Sequence, residues 1–243
     1  MKKISVLLLC MLFLSCSKKD HNCEKAQSWD YPVKPGMEEW KQFQSNEEMV
    51  RACQIPENLF PCLSTEELTD LCLQYPLILD FYAFGDINNG VDKLFSDFNG
   101  IRELYKKKEV LNSLLNRYDE KLQNFSLYDG GASDLEKGLF TISISTLEVL
   151  LKYVETDDNE ILKEILKALV DGWERKWTLG YYHYFQGIPT RTNFYSRAHL
   201  IIKISPESLE RFSNGIKNDI FLCEYLDQET ADLVNELSYQ LIK

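Results

Sequence analysis

Adjacent carboxylate pairs are the commonest chemically capable feature of this sequence: Glu38/Glu39, Glu47/Glu48, Glu66/Glu67 and Asp157/Asp158. Two carboxyl groups cleave a glycosidic bond when they face each other across a sugar, roughly 5–10 Å apart. Neighbouring residues on a helix instead point about 100° apart. Each pair also falls at a predicted helix start, where acidic groups are favoured by the helix dipole. They read as helix openers. Asp80 and Asp86 lie on either side of the run Phe81-Tyr82-Ala83-Phe84 and escape that explanation, so they stand as the one carboxylate-pair candidate.

Nucleophilic and metal chemistry find less. His183 and His199 are the only histidines beyond the N-terminal segment, which holds His21. The chain contains no G-x-S-x-G, no phosphate-cradling glycine loop and no H-E-x-x-H. A histidine set in an aromatic run is more often packed than basic. No catalytic residue, metal site or cofactor is assigned on this basis.

The densest feature lies between Trp173 and Arg197, where Trp173, Trp177, Tyr181, Tyr182, His183, Tyr184, Phe185, Arg191, Phe194, Tyr195 and Arg197 crowd together. As strands, one side of this stretch would enter the core and the other would present phenols and arginines. Tyr, Trp and Arg are over-represented where proteins hold partners, because they join flat apolar area to donors. Trp177, Tyr182, His183, Tyr184, Arg191 and Arg197 are therefore the candidate binding residues. The competing expectation is that these rings fill a second small core.

The elements that must position these groups are mostly helices. On a wheel of about 100° per residue, Ile161, Leu162, Ile165, Leu166, Leu169, Val170, Trp173 and Trp177 fall in one half-circle, opposite Lys163, Glu164, Lys167, Asp171 and Glu174. Phe140, Ile144, Leu147, Leu151 and Val154 step four and three apart in the segment before it. Phe140 to Ser145 also alternates as a strand does, but the longer spacing favours a helix. This apolar pair, Gly138 to Trp177, is the expected centre of the fold, with Asp157 and Glu160 capping its second member. Further caps are expected at Ser45/Glu48, Ser64/Glu67 and Ser133/Glu136. Leu77 to Phe84 suits either a buried helix or a strand. Asn88-Asn89-Gly90 and Asn99-Gly100 read as breaks, with one long helix from Ile101 to Leu122 following. Tyr181 to Phe185 and Arg197 to Ile204 read as a small β-hairpin near residues 180–204. The fold class is thus mostly α, as stacked antiparallel helix pairs forming a bundle or short superhelix, with that hairpin appended.

Lys2 and Lys3 precede the apolar run Ile4 to Leu14, which is too short to span a bilayer and reads as a secretion signal. Asp20 to Pro35 is polar and turn-rich, the composition of a tether. The expected organisation is a signal at 1–15, an anchor and tether at 16–35, and one helical domain at 36–243. Acidic residues number 38 against 27 basic, for a net charge of −11. That balance repels phosphate backbones and disfavours nucleic acid as a partner. Five of the seven cysteines, Cys23, Cys53, Cys62, Cys72 and Cys223, lie beyond the signal and Cys16. An odd set cannot pair completely. Buried thiols at Cys53 and Cys72 are expected, and Cys53–Cys62 or Cys62–Cys72 would suit a disulfide in an oxidising compartment.

Phe13-Leu14-Ser15-Cys16 resembles the lipobox of bacterial lipoproteins, and the sequence continuing through Ser17-Lys18-Lys19-Asp20 is similar to the Bacteroides-type signal. The resemblance implies that Cys16 carries lipid and holds the protein on a cell-envelope membrane, the outer membrane in particular. Glu38-Glu39-Trp40-Lys41, Ser64-Thr65-Glu66-Glu67-Leu68 and Tyr75-Pro76-Leu77 are also similar to a group of Bacteroides-type envelope proteins. That likeness implies an α-rich fold in the envelope and carries no functional residue across. The expectation for function is a lipid-anchored, non-enzymatic module binding a protein, peptide or glycan. The alternative is an envelope hydrolase with Asp80, Asp86 or His183 in its site, the carboxylate pair lying near the aromatic segment.

Overall fold

The computed structural model describes residues 23, 28–83, 87–129, 133–178, 188–212 and 228–243. The described residues are mostly helical and contain no strand. Among the described residues, nine α-helices have traced bounds, in chain order: α1 (Asn46–Ala52), α2 (Thr65–Leu73), α3 (Ile87–Asp97), α4 (Asn99–Leu104), α5 (Val110–Asp129), α6 (Asp134–Lys152), α7 (Asn159–Thr178), α8 (Ile188–Ile204) and α9 (Gln228–Leu241). Short 3-10 turns at Trp40–Gln42, Glu57–Cys62, Ile78–Ala83 and Pro206–Arg211 link them. The run from Leu77, open between helix and strand in the sequence, is thus a tight helical turn.

The caps form largely as the sequence dictates. Ser64 and Ser133 each accept from the backbone N–H three residues on, and Glu67 and Glu136 reach back to complete both boxes. Ser45 accepts from Glu48 N, but the Glu48 carboxylate returns to Gln44 N instead. At α7 the cap is Asp158, one residue later than expected. Its carbonyl accepts the first helical bond, from Leu162 N, and its Oδ1 accepts from Glu160 N at 2.9 Å.

Of the two expected breaks, one forms and one does not: α3 ends at Asp97 and Phe98 is extended before Asn99, whereas Asn88-Asn89-Gly90 interrupts nothing. Asn88, Asn89 and Gly90 lie inside α3. Asn99 begins α4, because its amide is a clamp: Oδ1 accepts from Ile55 N at 3.1 Å and Nδ2 donates to Ile55 O at 2.7 Å. Gly100 is required by packing, since a Cβ there would stand 2.3 Å from Phe98 Cζ. The long helix expected over Ile101 to Leu122 is divided by a turn at 105–109, where Lys107 Nζ donates to Leu63 O.

The hairpin expected near 180–204 is overturned over its second half, which is the C-terminal part of α8; Tyr181 to Phe185 lie outside the described residues. Ala198, Leu200, Ile202 and Ile204 do alternate, yet Phe194, Tyr195, Ala198 and Ile201 are spaced as one helix face. Every residue from Thr192 to Ala198 is buried. A helix covered on all sides shows no apolar stripe, so its period is hidden. This also moves the centre of the fold. α8 packs against α6, α7 and α9, while α6 and α7 touch one another little. The apolar pair is real, but α8 is the element both its members cover. One contiguous core runs from Tyr31 through α2 and α4 to α6, α7, α8 and Leu237 of α9.

Candidate functional site

Three places hold polar or aromatic groups that helix packing alone does not explain. The first is the C-terminal end of α7. Trp177 is 60% exposed, although the wheel put it on the inward half-circle. Its ring lies 6.0 Å from Trp173, and Trp173 meets Phe194 edge-to-face at 5.0 Å. Phe194 is buried on α8. A chain of rings therefore fixes an exposed indole from beneath.

Of the other candidate binding residues, Arg191 is half-buried near the start of α8. Tyr182, His183 and Tyr184 lie outside the described residues. Arg197 is fully buried. Helix geometry turns it toward α9, where Nε donates to Ser238 Oγ at 3.0 Å and Nη2 to Asn235 Oδ1 at 2.8 Å. The surface role expected from a hairpin is thereby lost. Its guanidinium also stands 5.1 Å from the Phe194 ring, so it supports the aromatic chain from inside.

The second place is wholly internal. Glu148 of α6 accepts from Tyr118 Oη at 2.7 Å, from Asn193 Nδ2 at 2.9 Å and from the Lys176 ammonium. Thr192 Oγ1 donates to its other oxygen at 3.3 Å. Both Glu148 and Lys176 are almost completely buried, and burial pulls the Lys176 pKa down against the attraction of Glu148. Four helices, α5 to α8, meet at this carboxylate. Sequence reasoning missed it, although Glu148 is the only charge between Gly138 and Leu151. Every oxygen lone pair used here is spent on the protein's own donors, so the arrangement holds helices together.

Nearby, Lys152 Nζ donates to Tyr195 Oη at 3.0 Å and lies over the Tyr153 ring at 3.9 Å. Burial first, then the positive charge of Lys203, lowers its pKa to about 7. His199 Nδ1 bonds Tyr195 O at 2.8 Å, and burial lowers its pKa to about 3, which keeps it neutral.

The third place contains Asp80. Asn46 and Val50 of α1, Tyr75, Leu77 and Asp80, and Gly90, Lys93, Leu94 and Asp97 of α3 surround a pocket of about 40 Å³. Partial burial and the like charge of Asp97 raise the Asp80 pKa. Asp86, its expected partner, lies outside the described residues. Tyr75, Lys93 and Asp97 were not foreseen here, since only the turn at Ile78–Ala83 brings residue 80 back to α3.

The cysteines resolve differently from expectation. Cys62 pairs with Cys23, not with Cys53 or Cys72. Cys53 and Cys72 are free and buried, as expected, and burial pushes the Cys53 thiol up to about 11. Cys223 lies outside the described residues. Among the described residues no cluster of His, Cys, Asp and Glu suits a metal ion, and no helix is long and apolar enough to cross a membrane.

The chain matches no protein-family model, no curated protein and no solved structure.

Proposed function

We propose that this protein is a lipid-anchored envelope module that binds a protein, peptide or glycan through the aromatic end of α7. The observation that carries the reading is Trp177: an indole 60% exposed, yet fixed through Trp173 and Phe194 to the core. Exposed large aromatics that are immobilised before binding lose little entropy on contact, which is the character of an interface anchor. Arg191, half-buried one turn into α8, is kept in the proposal as a candidate contact of this surface.

The anchor at Cys16 rests on the lipobox resemblance, and Cys23–Cys62 supports the same compartment, because disulfides persist outside the reducing cytosol. The net charge of −11 argues against nucleic acid as the partner. The hydrolase alternative has less support. Sites that enclose a substrate run to roughly 300–1,000 Å³, and the Asp80 pocket is near 40 Å³.

Retention of the full chain on immobilised peptide and glycan libraries tests the proposal. Trp177→Ala should abolish retention while leaving the melting temperature within a degree or two, since exposed substitutions seldom exceed about 0.5 kcal/mol. Retention unchanged by Trp177→Ala would overturn the assignment of this surface.

A further inference from the structure

We propose that the turns at Glu57–Cys62 and 105–109 together form the face that this protein lays on its membrane, with the phosphate-bearing headgroups of that bilayer as the partner. The inference rests on the lipid proposed at Cys16 and does not depend on what Trp177 holds. Cys23 follows Cys16 by seven residues. A fully extended chain gains at most about 3.3–3.6 Å per residue, so a lipid on Cys16 lies within roughly 25 Å of Cys23. Cys23 is bonded to Cys62, which leashes the body at the turn Glu57–Cys62. The disulfide thus cuts short the tether expected to run to Pro35. With the bond open, the first buried residue after Cys23 among those described is Tyr31, fifteen residues from Cys16, and the reach roughly doubles.

The surface beside the leash point is unlike the rest of the chain. Lys106, Lys107 and Lys108 are the only three consecutive basic residues in a sequence of net charge −11. Lys107 Nζ donates to Leu63 O at 3.0 Å and to Phe60 O at 3.4 Å, which joins the two turns into one surface next to Cys62. Lys106 is exposed and pairs with Glu103 at 2.5 Å. Lys108 is exposed and has no ion pair among the described residues. Pro61 is exposed and Phe60 partly so, an apolar tip beside the amines. Lysines with an aromatic residue are the composition of a surface that lies in a membrane interface. Glu57 and Glu109 lie in the same turns, so the attraction is local. At physiological salt, charges beyond about 8 Å are screened, and the amines act where they touch phosphate, whatever the charge of the distant body.

The binding surface proposed at Trp177 is separate from this one. Asp119 pairs with Arg175, two residues before Trp177, and stands nine residues along α5 from its start at Val110. At about 1.5 Å per residue that is roughly 13 Å from the lysine turn.

Acylation of lysines by a water-soluble succinimidyl ester, read by mass spectrometry, tests this on the lipidated full chain in vesicles of phosphatidylethanolamine and phosphatidylglycerol. Each rate is compared with that of the unanchored, oxidised Cys16→Ser chain, and Lys243, exposed at the end of the chain, is the internal reference. Lys106 and Lys108 should be labelled about fivefold more slowly on vesicles, the scale of one lysine at an anionic surface, with Lys243 unchanged. Lys108→Gln should speed the labelling of Lys106 on vesicles about threefold, and no change there removes the lysines from the contact. Cys23→Ser with Cys62→Ser should bring both lysines to within twofold of the unanchored rate; protection that survives in this variant overturns the leash. Lipid on Cys16 is weighed in the same sample. Its absence overturns the anchor, whereas lipid present with Lys106 and Lys108 labelled at the unanchored rate overturns this face alone. Protection shared equally by Lys243 overturns the face as well.

Discussion

At the scale of single residues, the interior of this protein is governed by a few ionisable groups whose charge state is set by what touches them. Glu148 and Lys176 are each buried, and each makes the other tolerable. A buried pair adds little net stability, but removing one partner strands the other, at about 3–5 kcal/mol. Lys176→Met should therefore lower the urea midpoint strongly, while Glu148→Gln combined with Lys176→Met should recover most of the loss. Equal damage from single and double variants would show that the two groups act separately. Lys152 gives a pH signature. Its pKa is about 7 in the folded protein against 10.5 for an ordinary lysine. Between those values the unfolded chain holds more protons, so stability must rise with pH through that window. Lys152→Met, whose side chain suits the space between the Tyr153 and Tyr195 rings, lacks this dependence. Its stability relative to the native chain should fall steadily from pH 7 to pH 10 in denaturant titrations. A constant difference would mean that the amine keeps an ordinary pKa.

Elements show where packing overrides local signals. α6 starts as its sequence dictates, and Ser133→Ala should cost about 1 kcal/mol of stability by loss of the cap. α7 is more constrained at Gly172 than any propensity suggests. A Cβ there would stand 2.0 Å from Tyr118 Oη, so α5 and α7 can approach only because the residue is glycine. Gly172→Ala, nominally favourable in a helix, should instead destabilise by about 1–3 kcal/mol and should perturb the Tyr118–Glu148 bond. A stabilised Gly172→Ala would disprove that close approach. These cases mark the limits of what the sequence discloses. Caps at Ser64 and Ser133 are local, and so is the apolar face of α7; three residues or one turn contain the whole message. Asn99 is not local, because its helix-opening role depends on Ile55, far back in the chain. α8 is hidden for a different reason: it is covered on so many sides that alternation and helical spacing coexist in it. The exposed Trp177 was readable as a candidate, but its support by Phe194 required knowing that α8 is a helix. The Asp80 pocket was half readable, since the carboxylate is plain in the sequence and its neighbours on α3 are not.

The whole molecule is an acidic helical body whose N-terminal end is fastened twice, by a disulfide and by the proposed lipid. Cys23–Cys62 ties the start of the described chain to the turn at Glu57–Cys62, across 39 residues. Tyr31 adds a hydrogen bond nearby, its buried hydroxyl donating to Leu71 O at 2.8 Å. Sequence pairing rules could not select Cys23, because connectivity follows from where the segment lies on the body. Closing a loop of this length is worth roughly 2–4 kcal/mol, about 5–15 °C in a domain of this size. Cys23→Ser with Cys62→Ser should lower the melting temperature by that amount, and reductant should do the same to the native chain alone. If reductant shifts the native chain and the double variant equally, the bond contributes nothing. The same bond reports on address. Protein recovered from the envelope should carry lipid on Cys16 and the closed Cys23–Cys62 bond together, whereas Cys16→Ser should leave the membrane fraction and keep the bond if it is still exported. Oxidised protein starting elsewhere than Cys16, with no lipid mass, would sink the anchor while sparing the fold.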